Sequence, residues 1–149
     1  MSETPVSRID RIVAHRLVIG SLPACRQWGG AISLRGDGSA VEGVAAVVDA
    51  LRMDLLGRIG DIAHDEPLMP LDPLDLPLNA TGQDVAVGIE LTLNHLPRRS
   101  EWERAIADRN DGTTVEGVFS ALCEIRRMLH KCLGECPEPR STTQPTFRT

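Results

Sequence analysis

Residues 22–44 read LPACRQWGGAISLRGDGSAVEGV, and residues 96–118 read LPRRSEWERAIADRNDGTTVEGV. The two lines align without a gap at an offset of 74 residues, and the match continues on both sides. From position 10 to position 60, 18 of 51 residues recur, among them Asp10/Asp84, Leu22/Leu96, Trp28/Trp102, Arg35/Arg109, Gly43/Gly117, Arg52/Arg126 and Gly60/Gly134. Composition alone predicts about three or four such identities. The excess marks residues 7–60 and 81–134 as two copies of one unit. A lone unit of about 50 residues would fold marginally, so the copies are expected to share a core.

Charge is placed unevenly. The chain has 149 residues and a formal net charge of -5. Residues 1–60 carry 7 basic and 6 acidic side chains, and residues 84–134 carry 7 and 8. Residues 61–83 carry 5 acidic and no basic ones. The units are therefore close to neutral, and overall acidity argues only weakly against a nucleic-acid partner. The N-terminal stretch MSETPVSRIDRIV lacks the pattern of a signal peptide, and no apolar run is long enough to span a membrane. None of Cys25, Cys123, Cys132 and Cys136 has a cysteine counterpart at the offset, which favours reduced thiols in a cytoplasmic protein over a disulfide framework.

Within each unit the third segment is the most legible. Val41, Val44, Val48, Leu51 and Leu55 recur as Val115, Val118, Leu122, Ile125 and Leu129, in steps of 3, 4, 3 and 4. That is the seam of a helix lying along another helix. Ser39 with Glu42, and Thr113 with Glu116, have capping-box spacing, and Asp-Gly before each makes the turn. Helices are expected at 40–59 and 114–133, with Gly60 and Gly134 as left-handed C-terminal caps. The second segments, 25–35 and 99–109, show helical spacing through Trp28/Ile32 and Trp102/Ile106, and Ser100 with Glu103 suggests a cap. The first segments, 8–20 and 84–95, are two-sided. Val85, Val87, Ile89, Leu91 and Leu93 alternate as in a strand, while Ile9, Ile12, Val13 and Leu17 follow a helical stripe. Ser7 with Asp10, and Thr81 with Asp84, look like helix N-caps and favour helix. Residues 61–80, with four prolines, read as an acidic spacer, and 135–149 as a disordered tail.

The order of extended segment, Leu-Pro, helix, glycine turn and longer helix resembles the ribbon-helix-helix family of DNA-binding proteins, chiefly through Leu96-Pro97 and Gly112 ahead of 114–133. The resemblance implies strands in the first segments and DNA as ligand. The alternate positions that would face DNA are His95, Leu93 and Leu91, and Ser21, Ile19 and Leu17. They are mostly apolar, so that face would need a one-residue register shift.

Candidate sites are few. Trp28 and Trp102 fit core anchors or interface hot spots. Arg35/Arg109 fit helix C-terminal capping. Arg52/Arg126 fit a local ion pair, such as Arg52 with Asp49, or a repeated contact with an acidic partner. Glu42 and Glu116 read as capping residues, and Gly43 and Gly117 as points of close helix approach. Cys123, His130, Cys132 and Cys136 lack zinc-site spacing, and no nucleophile, metal or phosphate-loop motif occurs. No catalytic residue, cofactor or metal is expected. The sequence thus predicts a mainly α protein: a duplicated three-helix unit with pseudo-two-fold packing, its long third helices on each other or on a second chain. The expected function is a non-enzymatic interaction module, an adaptor or inhibitor of a larger complex. The alternative is a small DNA-binding regulator using Arg98, Arg99, Arg126 and Arg127 on phosphates.

Overall fold

The computed structural model describes residues 6–68 and 79–134. Their regular structure is six helices, and no strand occurs among them. These are α1 (Arg8–Ser21), α2 (Cys25–Ser33), α3 (Val41–Ala63), α4 (Gly82–Asn94), α5 (Arg99–Ala107) and α6 (Val115–Gly134). Half of the expected spacer, residues 69–78, and the whole of 135–149 lie outside the described residues.

The first segments are helices because their caps decide the local conformation. Ser7 Oγ accepts from the Asp10 amide at 3.1 Å, and the Asp10 carboxylate accepts from the Ser7 amide at 3.4 Å. Thr81 and Asp84 repeat the exchange at 3.1 and 3.0 Å. Each box satisfies amides that a helix start leaves unpaired. The strand-like alternation in α4 has another origin. α4 packs against both α3 and α6, burying Val85, Val87, Gly88, Ile89 and Thr92, so apolar residues occupy most of its circumference. Without strands at 8–20 and 84–95, the architecture is not that of the ribbon-helix-helix family.

Packing follows the same logic. α1 lies against α3 and α6, and α4 lies against α3 and α6. α2 covers α3, and α5 covers α6. The expectation that the third helices pack on each other is corrected: among the described residues α3 and α6 form no principal pairing, because α1 and α4 stand between them. The core is nevertheless shared. One apolar cluster joins Val13 and Val18 of α1, Leu51 and Leu55 of α3, Ile89 of α4, Trp102 of α5, and Ile125 and Leu129 of α6. A second joins Trp28 and Ile32 of α2 to Val44 and Val48 of α3 and Val87 of α4.

The starts of α3 and α6 differ from expectation. Both begin one residue later than predicted, and Glu42 and Glu116 are exposed rather than capping. Carboxylates from the other end of the chain hold these starts. Asp84 Oδ1 accepts from the Ala40 amide at 2.8 Å, and Asp10 Oδ1 accepts from the Thr114 amide at 2.9 Å. Asp10 is 1% exposed and Asp84 2%. Each carboxylate thus caps its own helix and a partner helix, with both positive helix ends directed at it. Gly43 and Gly117 make room for this. A Cβ on either would stand 2.5 Å from the Cγ of Asp84 or Asp10 respectively, and closer still to an oxygen.

α3 also runs past Gly60. Ile62 continues the buried seam, and the helix closes beyond it, with the Asp65 amide bonding to the Ile62 carbonyl and the Glu66 amide to Asp61. Asp65 takes the left-handed position, φ 59°, that glycine usually fills. α5 starts at Arg99, as expected, but Ser100 and Glu103 do not cap it. Its leading amide, Arg98, donates to Glu101 Oε1 at 2.8 Å.

The two buried carboxylates yield a direct prediction. Asp10→Ala and Asp84→Ala should each lower unfolding free energy by about 2–4 kcal/mol, since each removes a buried acceptor shared by two helix starts. Glu42→Ala should change it by under about 0.5 kcal/mol. Urea denaturation followed by circular dichroism measures both; a loss of about 1 kcal/mol at Glu42 would restore the capping-box reading.

Candidate functional site

The residues singled out in the sequence fall into three environments. Trp28 and Trp102 are 5% and 3% exposed and anchor α2 and α5 to the core, so they present no surface to a partner. Arg35 and Arg109 do not cap α2 and α5. They lie beyond the helix ends and pair with Asp37 and Asp111 in the following turns. Asp37 and Asp111 also accept from Ser39 and Thr113, and those hydroxyl and guanidinium contacts hold both carboxyls well below the usual carboxylate range. Gly38 and Gly112 follow at φ 92° and close the turns. Arg52 pairs with Asp49 at 2.9 Å, as its spacing suggested. Arg126 has Cys123 at the matching position instead, and is exposed.

Of the arginines considered for phosphates, Arg99 is engaged by Glu116 at 2.6 Å and lies 5.1 Å from the Phe119 ring centroid. Arg98, Arg126 and Arg127 are exposed, and His130 and Lys131 extend the basic face of α6. At the corresponding positions of α3 stand Met53, Leu56 and Gly57 in place of Arg127, His130 and Lys131. Met53 is 61% exposed and Leu56 46%. At these three positions the two long helices therefore differ: α3 carries no charge where α6 is basic.

A polar cluster that sequence reasoning missed lies where α1 meets α3. His15 of α1 is 4% exposed. Its Nδ1–H donates to the Arg11 carbonyl at 2.8 Å, while Nε2 is buried without a hydrogen-bond partner. Arg11 Nε is buried and unpartnered too. From α3, Arg58 approaches Asp54 at 4.0 Å, an ion pair too long to count as a hydrogen bond. Burial pushes the His15 imidazole below its ordinary range; the nearby Arg58 and Arg11 charges push the same way, against the hydrogen bond to the Arg11 carbonyl and the Asp54 charge. Burial pushes the Asp54 carboxyl up, against the pull of Arg58 and His15. Beside the cluster a cavity of about 300 Å³ opens, lined by Arg11, His15, Arg58, Glu124, Ile125 and Met128.

One signal could have found the cluster. At the 74-residue offset, Arg11, His15, Asp54 and Arg58 become Val85, Ile89, Met128 and Cys132. Every member is polar in the first stretch and apolar in the second. Attention to identities hides such a set; attention to concerted differences reveals it.

Among the described residues, no group of His, Cys, Asp and Glu could hold a metal ion, and no helix is long and apolar enough to cross a membrane. Cys25 and Cys123 are free thiols. Comparison with protein-family models, curated proteins and solved structures finds no match to this chain.

His15 makes stability depend on pH. Its folded pKa lies below the ordinary 6.5, so the unfolded chain takes a proton first as pH falls through 6.5. Stability is then lost with falling pH from about 6.5 down to the folded value. Asp54, raised above 3.8, acts oppositely: stability falls as pH rises from 3.8 to its folded value. His15→Ile should flatten the decline just below pH 6.5 in urea titrations across pH. An unchanged slope would remove His15 as its source.

Proposed function

We propose that this chain is a non-enzymatic protein–protein interaction module, an adaptor or inhibitor of a larger complex acting in the cytoplasm. The observation that carries this reading is the outer face of α3. Met53 and Leu56 stand one helical turn apart and both project large apolar side chains into solvent. Gly57 and Gly60 extend the same face without bulk, which suits close approach by a partner. A second copy of the chain is one such partner, through 40–59 and 114–133; a larger complex is the one we favour.

In the same reading the fold is an internal duplication with a pseudo-two-fold arrangement. The reciprocal contacts of Asp10 with the start of α6 and of Asp84 with the start of α3 support it. The divergence of α3 and α6 outside this shared frame then gives two unlike faces on one molecule. Linking two faces raises avidity for a composite target.

DNA binding is the second reading, favoured by one observation: Arg126, Arg127, His130 and Lys131 form an exposed basic face on α6. The two readings separate in an affinity capture from native lysate with and without nuclease. The module reading expects a discrete protein that survives nuclease and whose binding falls at least tenfold, about 1.4 kcal/mol, with Met53→Asp/Leu56→Asp. Recovery that disappears with nuclease and with Arg126→Glu/Arg127→Glu would establish the DNA reading instead.

A further inference from the structure

Glycine inside a helix is destabilising relative to alanine, so each one in α3 needs a reason. Gly43 has one in the Asp84 carboxylate at its side. Gly57 and Gly60 have none among the described residues: a Cβ on either would meet nothing within 4 Å. They lie beside Met53 and Leu56, whose side chains project into solvent. At the 74-residue offset Met53, Leu56 and Gly57 become Arg127, His130 and Lys131. The outer face of a long helix in this fold therefore needs neither the apolar pair nor the glycine. Two apolar knobs and two notches on one helix face, serving nothing inside the chain, point to a contact between molecules.

The spacing identifies the partner. At 3.6 residues per turn, Asp49, Met53, Leu56, Gly57, Gly60 and His64 fall on one side of α3, away from the buried Val48, Leu51, Leu55 and Ile62. A second α3 laid antiparallel, with a two-fold axis passing between positions 56 and 57, sets position 53 against 60 and position 49 against 64. Met53 of each copy then lies over Gly60 of the other. The two Leu56 side chains meet across the axis. The two Gly57 residues let the helix axes approach to the short end of the usual range of about 8–10 Å.

Charge agrees with the same register. Asp49 is exposed, and its Oδ1 accepts from Arg52 at 2.9 Å. His64 Nδ1–H donates to the Gly60 carbonyl at 2.9 Å, which leaves Nε2 for a second contact. In the antiparallel pair the acid of each copy stands beside the base of the other; in a parallel pair acid would meet acid. Of the neighbouring charges, Arg52 and Asp61 lie on opposite flanks of the seam, and Asp65 turns to Arg8 of α1.

We propose that in the free protein this face is covered by the same face of a second copy, α3 antiparallel to α3, and that a larger complex must displace that copy to reach Met53 and Leu56. The proposal rests on the reading of α3 as a partner face and supplies its regulation. One helix face makes a patch smaller than a standard interface, so the pair is weak, with a dissociation constant in the micromolar range or above. Such a cover yields to a partner with a larger contact.

Sedimentation equilibrium of the full chain from about 1 to about 500 μM tests this. The unaltered chain should pass from monomer to dimer and no further, as a closed two-fold pair requires. Met53→Asp and Leu56→Asp should each raise the dissociation constant at least tenfold, while Arg104→Glu on α5 should leave it unchanged. Gly60→Leu separates contact from fold. Nothing in the chain crowds that position, so the melting temperature of the dilute monomer should hold or rise, yet the dimer should weaken at least tenfold. Asp49→Lys should weaken the dimer several-fold, and adding His64→Asp should restore it. A monomer at every concentration, a dimer indifferent to Met53→Asp and Leu56→Asp or to Gly60→Leu, or no rescue by His64→Asp would overturn the proposal. A strict monomer would leave the partner reading standing, since that reading is judged by the captured protein's dependence on Met53 and Leu56.

Discussion

Two buried carboxylates organise this molecule. Asp10 and Asp84 each sit where two helices begin, and each accepts hydrogen bonds from both starts. A helix N-terminus presents unpaired amides and the positive end of its dipole. Two such ends converging on one anion compensate for its loss of water. The interaction is long-range in sequence, joining residues 10 and 114 and residues 40 and 84, so it ties distant parts of the chain together.

Several other features are consequences. Gly43 and Gly117 are needed because a side chain there would occupy the carboxylate's place. α1 and α4 become the central helices because they carry the aspartates, and the longer α3 and α6 are held apart by them. The apolar seams of α3 and α6 then face α1 and α4 rather than each other. Gly88 and Val47 show how tightly this is fitted: a Cβ on Gly88 would approach Val47 Cγ1 to 2.5 Å. At the offset the pair is Ala14 and Ala121, where bulk is shared evenly between the positions.

Much of the fold was legible in the sequence. The seam from Val44 to Leu55 and its counterpart from Val118 to Leu129 are buried as their spacing requires. Ser7 and Thr81 cap the first segments, which makes helices of both. What was not legible arises from contacts between distant residues. Ser39 and Thr113 have the right spacing to cap, but Asp84 and Asp10 reach the next amides from across the core, and the hydroxyls serve the Asp37 and Asp111 turns instead. Gly60 looked like a helix end, yet burial of Ile62 carries α3 further. The cluster around His15 was invisible to a comparison that prized identity, because its signature is four coordinated differences.

The central claim is that Gly43 and Gly117 are kept small by the carboxylates that cap across the core. A double-mutant cycle on Asp10 and Gly117, read by urea denaturation, tests it most directly. Gly117→Ala alone should destabilise by about 2–3 kcal/mol through overpacking and a displaced charge. In the Asp10→Ala background the same substitution should cost at least 1 kcal/mol less, since the nearest oxygen it would strike is gone and only Thr114 Oγ1, at 2.7 Å, remains in its way. Additive losses would mean that Gly117 is small for some other reason, and that the carboxylate does not organise the start of α6.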